Sequence, residues 1–138
     1  MKKLLLLCLF FPLLSPAGDF ITGLNLSSPL LLSGSVGYRF SSENSPGMSP
    51  MVEAEAGIGG TKILLGVDGM DEGFGFGVKA SLLNTWLEPI NVDADQQYLG
   101  VELQMGNTGF IASLGGYARI EGDDDSWITT FSFGIRFK

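Results

Sequence analysis

The last residues of the chain, WITTFSFGIRFK, alternate without a break. Trp127, Thr129, Phe131, Phe133, Ile135 and Phe137 form one series, and Ile128, Thr130, Ser132, Gly134 and Arg136 form the other. A period of two puts each series on its own face of an extended strand, one apolar and one small or polar. The pattern recurs along the chain. Pro29–Phe40 sets Gly34, Val36, Tyr38 and Phe40 against Ser35, Gly37 and Arg39, and Met51–Ile58 sets Val52, Ala54, Ala56 and Ile58 against Glu53, Glu55 and Gly57. Ile63, Leu65 and Val67 then oppose Lys62, Leu64, Gly66 and Asp68. Gly73–Leu82 sets Phe74, Phe76, Val78, Ala80 and Leu82 against Gly75, Gly77, Lys79 and Ser81. Tyr98–Met105 and Phe110–Ile120 follow the same rule, with Glu102 on the polar face of the first and Arg119 on that of the second. Such alternation predicts strands that each keep one apolar face.

The connections predict antiparallel hairpins. Gly106-Asn107-Thr108-Gly109 tolerates positive φ and makes a tight turn, and Gly69–Glu72 makes another. Glu121–Asp125 is an acidic loop, while Leu87–Gln96 and Ser41–Pro50 are longer. Asp19–Leu26 (DFITGLNL) alternates weakly and is the candidate for an eighth strand. Strands of about ten residues match the length that crosses a membrane with tilt. The step at Gly59-Gly60 reads either as a hairpin or as a bulge inside one long strand. No fixed repeat or linker divides the chain, so a single domain is expected over residues 18–138.

Residues 1–17 belong to something else. Met1-Lys2-Lys3 is basic, Leu4–Leu14 is apolar apart from Cys8 and Pro12, and Ser15-Pro16-Ala17 offers small residues at a cleavage site. This is the layout of a secretory signal peptide, too short for a spanning helix. Cleavage near Ala17 removes the only cysteine, so export without disulfides is expected. It also removes Lys2 and Lys3 from a chain whose formal net charge is already −7. That acidity excludes the usual nucleic-acid binders, which cluster Lys and Arg. The chain has no histidine, and so lacks the commonest general base and the commonest transition-metal ligand.

The placement of charge sharpens the reading. Arg39, Glu53, Glu55, Lys62, Asp68, Lys79, Glu102, Arg119 and Arg136 all fall on the non-apolar face of a predicted strand. The remaining acids sit mostly in connections. A soluble barrel turns the apolar face inward, and a membrane barrel turns it outward and pairs its charges inside; periodicity alone is blind to that choice. Two features favour the membrane form. The polar face is rich in Gly and Ser and poor in long charged residues, unlike a surface facing water. Its bases and acids are nearly balanced, which suits mutual pairing in an enclosed space.

From the signal peptide through FSFGIRFK the chain resembles the small, eight-stranded outer-membrane β-barrels of bacteria, whose last strand is likewise an alternating apolar row with a near-terminal aromatic. The resemblance implies an all-β fold, a closed antiparallel up-and-down transmembrane barrel of eight strands. It implies residence in the outer membrane, with membrane lipids and the barrel-assembly machinery as partners, a monomeric state and no cofactor. In that setting Phe74, Phe76, Phe110, Phe131, Phe133, Ile135 and Phe137 would face lipid, and the nine charged residues would fill the interior as a salt-bridged plug. The role expected is structural, adhesive or another surface interaction.

Two other readings stay open. One is a soluble periplasmic or secreted barrel that holds an apolar ligand, in the manner of a lipocalin. The other is a lipid-modifying outer-membrane enzyme; the lipid A-modifying barrels depend on histidine, so their mechanisms do not transfer to this chain. Glu53 and Glu55, two apart on one face, are a candidate carboxylate pair, though cationic neighbours would hold both ionised. Trp86, Trp127 and Tyr38 are candidates for an interfacial girdle. Asp93, Asp95 and Asp123–Asp125 carry oxygen ligands of the kind calcium takes, but lack the spacing of a calcium loop, so a solvated acidic loop is expected and no metal site. If the interior is charge-paired throughout, Arg119→Leu would be expected to destabilise the barrel.

Overall fold

The structure, a computed structural model, describes residues 18–40, 47–69, 73–87, 93–107, 109–123 and 126–138. The signal-peptide reading of residues 1–17 and the acids Asp124 and Asp125 lie outside the described residues. Alternating sequence becomes strand in each predicted place. The strands are β1 (Gly18–Ser28), β2 (Leu31–Phe40), β3 (Ser49–Gly57), β4 (Gly60–Asp68), β5 (Gly75–Thr85), β6 (Gln97–Gly106), β7 (Phe110–Glu121) and β8 (Trp127–Phe137). Each pairs antiparallel with its neighbour in sequence, and β8 returns to β1, so the sheet closes as an up-and-down barrel. Closure gives the backbone groups of every strand a partner on both sides, which an open sheet cannot do.

The registers fix the tilt. Moving sideways from Asp19 leads through Arg39, Met51, Gly66, Lys79, Glu102 and Gly115 to Thr130. Next to Thr130, Phe131 pairs with Ser28, at the far end of β1. One circuit thus climbs roughly ten residues, a shear that inclines the strands by about 40°. Gly18, where β1 begins, and the C-terminal Lys138 lie at one end, here the terminal end. The opposite end carries the turns after β1 and β3 and the longer connections after β5 and β7.

Two uncertain stretches of sequence resolve in physical terms. DFITGLNL is part of a full strand because ladders on both sides, to β2 and to β8, hold it despite its weak apolar pattern. Gly59-Gly60 belongs to a hairpin: the Ile58 amide donates to Leu32 O and the Gly59 amide to Leu30 O, each at 3.2 Å, while Gly60 opens β4. At the terminal end, Asn107 Oδ1 accepts from the Gly109 and Phe110 amides, both at 2.8 Å. The preceding Gly106 takes φ +150°, a conformation that favours glycine. β5 also runs beyond the predicted Leu82 to Thr85, whose hydroxyl donates to Asp93 O at 2.8 Å.

The apolar series points out. Phe74 is 69 % exposed and Phe137 52 %; Phe76, Phe110, Phe131, Phe133 and Ile135 are likewise exposed. Apart from Glu121, the exposed last residue of β7 beyond the register shift, the outward positions of the eight strands hold no Asp, Glu, Lys or Arg. The inward series contains the charges, together with an apolar cluster of Leu30, Leu83, Tyr98, Tyr117 and Ile128 that fills the barrel towards the end opposite the termini. Towards the terminal end Ile21, Met51 and Ile111 are buried as well.

Candidate functional site in the barrel interior

Strand geometry alone brings the charges together. Inward positions on adjacent strands stand side by side, so Lys79 on β5 faces Glu102 on β6, and Glu55 on β3 faces Lys62 on β4. Longer side chains then reach across the lumen to strands that are not neighbours, and two linked clusters result.

The cluster nearer the terminal end joins Arg39, Glu53, Asp68, Lys79 and Arg136. Lys79 Nζ donates to Glu53 Oε2 at 2.6 Å, and Arg136 Nη2 lies 3.5 Å from the same oxygen. Asp68 is held from two sides, by Arg136 Nη1 at 2.8 Å and by Arg39 Nη2 at 3.3 Å. Arg136 Nη2 also donates to Gln104 Oε1 at 3.3 Å. The second cluster centres on Lys62. Its Nζ donates to Glu102 Oε1 at 2.8 Å and lies 3.1 Å from Glu55 Oε2. Ser33 donates to Glu55. The Tyr117 hydroxyl donates to Glu102 Oε1 at 2.5 Å and lies 2.8 Å from the Ser81 hydroxyl.

All eight of these ionic residues are buried, with Lys79 and Glu102 at 0 % exposure. The first cluster has one more base than acid, and the second has one more acid than base. Lys79 of the first stands opposite Glu102 of the second, so the two surpluses face each other and the interior is neutral as a whole. This matters because an unpaired charge in a closed, low-dielectric space costs several kcal/mol. It also disposes of Glu53 and Glu55 as an acid–base pair. Each meets its own cation, and neither shares a proton with the other.

Arg119 stands apart from the network in which the sequence placed it. It has the inward parity of β7, but it lies near that strand's end, where the ladder to β6 shifts register at Gln97/Tyr98. It is half-buried and makes no ion pair among the described residues. Parity reports the face of a strand and carries no information on depth along the barrel. Arg119→Leu therefore strands no carboxylate among the described residues, and the destabilisation expected of a fully paired interior does not follow. That substitution should change urea-unfolding stability in micelles by no more than about 0.5 kcal/mol, and a loss of several kcal/mol would contradict the placement.

Several members of the site were not singled out from sequence. Ser33, Ser81, Gln104 and Tyr117 complete the hydrogen bonding, and each lies on the polar face of its strand; a polar residue beside a buried ion is the signal that would have found them. Leu30 lies in the predicted Pro29–Phe40 stretch but ahead of its alternating residues, in the β1–β2 turn, and Leu83 lies past the predicted end of β5, so the alternation assigned a face to neither.

Aromatic residues stand at both rims, while Phe131 and Phe133 lie midway along β8. Trp86 and Trp127 are exposed at the end opposite the termini, and the Trp86 indole donates to Ile58 O at 2.8 Å. At the terminal end Tyr38 meets Phe20 and Phe40 edge-on, with centroids 5.1 and 4.9 Å apart, and Phe74 meets Phe76 at 5.6 Å. Between Trp127 and Phe137 the tilted strand β8 spans about 25 Å of barrel height. Asp93, Asp95, Glu121 and Asp123 are exposed beyond the first rim. Among the described residues no group of acids, cysteines or histidines is placed to hold a metal ion.

Fold and site together define a class: a closed, eight-stranded, antiparallel up-and-down β-barrel with a charge-paired interior and an uncharged outer wall. Comparison of the chain with family models, curated proteins and solved structures finds no match.

Proposed function

We propose that this protein is a transmembrane barrel of the bacterial outer membrane, with a structural, adhesive or other surface-interaction role and no open pore. One observation carries the reading: outward-facing strand positions are free of charge short of Glu121 at the very end of β7, while the inward ones hold a neutral ionic network. In water the same arrangement would expose rows of Phe, Leu and Ile that a soluble monomer rarely tolerates as one continuous surface. An uncharged band about 25 Å high, with aromatics at both rims, fits the hydrocarbon layer of that membrane. The ionic clusters and the apolar cluster around Leu30 fill the lumen, as expected of a narrow eight-stranded barrel. The acidic residues at the end opposite the termini are then the groups offered to partners.

The test is fractionation of cells that express the full chain. The protein should stay with membranes through osmotic shock, require detergent for extraction, and change its gel mobility when boiled. Recovery in the shock fluid without detergent would sink the proposal in favour of the soluble, ligand-binding barrel.

A further inference from the structure

One oxygen of the ionic network is left over. Glu102 Oε1 accepts from both the Lys62 ammonium and the Tyr117 hydroxyl, while Glu102 Oε2 is fully buried and accepts no hydrogen bond among the described residues. Native structures rarely leave a buried carboxylate oxygen so, because its desolvation is then uncompensated. The residues paired with Glu102 show what reaches it. Gly115 on β7 has no side chain to offer, and Lys79 on β5 carries an ammonium. Side chains directly opposite hold their Cβ atoms about 5 Å apart, a gap that the flexible four-carbon stem of a lysine covers.

Lys79 Nζ instead donates to Glu53 Oε2, two strands away on β3, at 2.6 Å. Glu53 has a second cation at hand, since Arg136 Nη2 stands 3.5 Å from the same oxygen. So Lys79 lies between a carboxylate with a substitute partner and one with an unpartnered oxygen. The charges point the same way. With Lys79 on Glu53, Arg39, Lys79 and Arg136 face Glu53 and Asp68, while Lys62 alone faces Glu55 and Glu102. With Lys79 on Glu102, Arg39 and Arg136 balance Glu53 and Asp68, and Lys62 and Lys79 balance Glu55 and Glu102. One side-chain movement thus makes both clusters neutral, which a low-dielectric interior favours.

We propose that Lys79 is a switch inside the barrel, passing its ammonium between Glu53 and Glu102, with Arg136 closing on Glu53 when Lys79 leaves. No covalent bond changes and no proton is transferred. The ammonium moves from the cluster nearer the terminal end to the other, so the two halves of the lumen are coupled. A stronger hold of Arg136 on Glu53 sends Lys79 to Glu102, and loss of the Glu102 carboxylate returns it. The switch depends on the interior alone, whatever meets the outer wall.

A double-mutant cycle on the two carboxylates tests it, with urea unfolding in micelles as the measure. In Glu53→Gln the ammonium moves to Glu102, so the folding equilibrium should fall by less than about tenfold. Glu102→Gln leaves Lys79 on Glu53 and should cost no more. The double variant strands Lys79, and its loss should exceed the product of the single losses by roughly a hundredfold. A large loss in Glu53→Gln alone, with no coupling in the cycle, overturns the proposal. Should the double variant not fold, Glu53→Gln decides. With glutamate labelled with 13C at Cδ, the Glu102 resonance is identified by its absence in Glu102→Gln. It should shift in Glu53→Gln, as the ammonium arrives, and return when Lys79→Met is added. An unmoved resonance, or a Glu53→Gln protein that folds only once Lys79→Met is added, overturns the proposal.

Discussion

Lys62→Met should cost the barrel about 3–5 kcal/mol, or prevent folding altogether. Lys62 is the only cation in its cluster, and it holds both Glu55 and Glu102. Methionine matches its length but leaves two carboxylates in a space that excludes water. Glu102 is 0 % exposed, and its Oε2 already lacks a hydrogen-bond partner among the described residues. Urea unfolding in micelles, followed by the heat-dependent gel shift, measures the loss. The triple variant Lys62→Met, Glu55→Gln, Glu102→Gln should recover most of it, because removing a buried ionic group whole is far cheaper than removing one partner. Wild-type stability in the single variant would show that the charges are not confined as described.

The outer wall gives the second large effect. Leu65 lies midway along β4 and is 64 % exposed. In water, Leu65→Arg at such a position would shift stability by no more than about 0.5 kcal/mol. In a bilayer the same residue lies near the midplane, where an arginine on the lipid face costs about 2–4 kcal/mol. Unfolding of the two proteins in phosphatidylcholine vesicles separates the cases. A near-zero difference there would mean that this wall does not meet hydrocarbon. The two substitutions probe opposite faces of one sheet, so their effects should add when combined.

Much of this was legible in the alternation, and the reason is geometric. A strand's two faces are fixed by parity, so Phe131 and Phe133 on one side and Arg136 on the other could be separated before any fold was known. The closed ring of eight strands was expected only through the resemblance to small barrels, and its shear not at all, because shear depends on registers between strands and no residue type announces a register. β1 shows the same limit from the other side. Its inward positions include Gly23, Asn25 and Ser27, a poor strand signal, yet two ladders hold it. Arg119 shows what parity omits. It shares a face with Tyr117, two residues away, but Tyr117 is buried in the network and Arg119 stands near the rim. The apolar residues within the lumen were harder still. Leu64, Ile111 and Ile128 interrupt a polar face and look like noise in a pattern, although that is how a narrow barrel fills the space between its ions.

The pairing of Thr22–Ser28 with Phe137–Phe131 has a bearing on biosynthesis. The first strand to leave the ribosome needs the last as its neighbour, so none of the intermediate chain lengths can complete the ring. Until the final residues arrive, β1 and the newest strand each present an unsatisfied edge, the kind of template on which chains aggregate. Contacts this distant in sequence also form slowly. The polypeptide must therefore be kept from its own kind until the last strand is made, and its finished shape is acquired as a single late event.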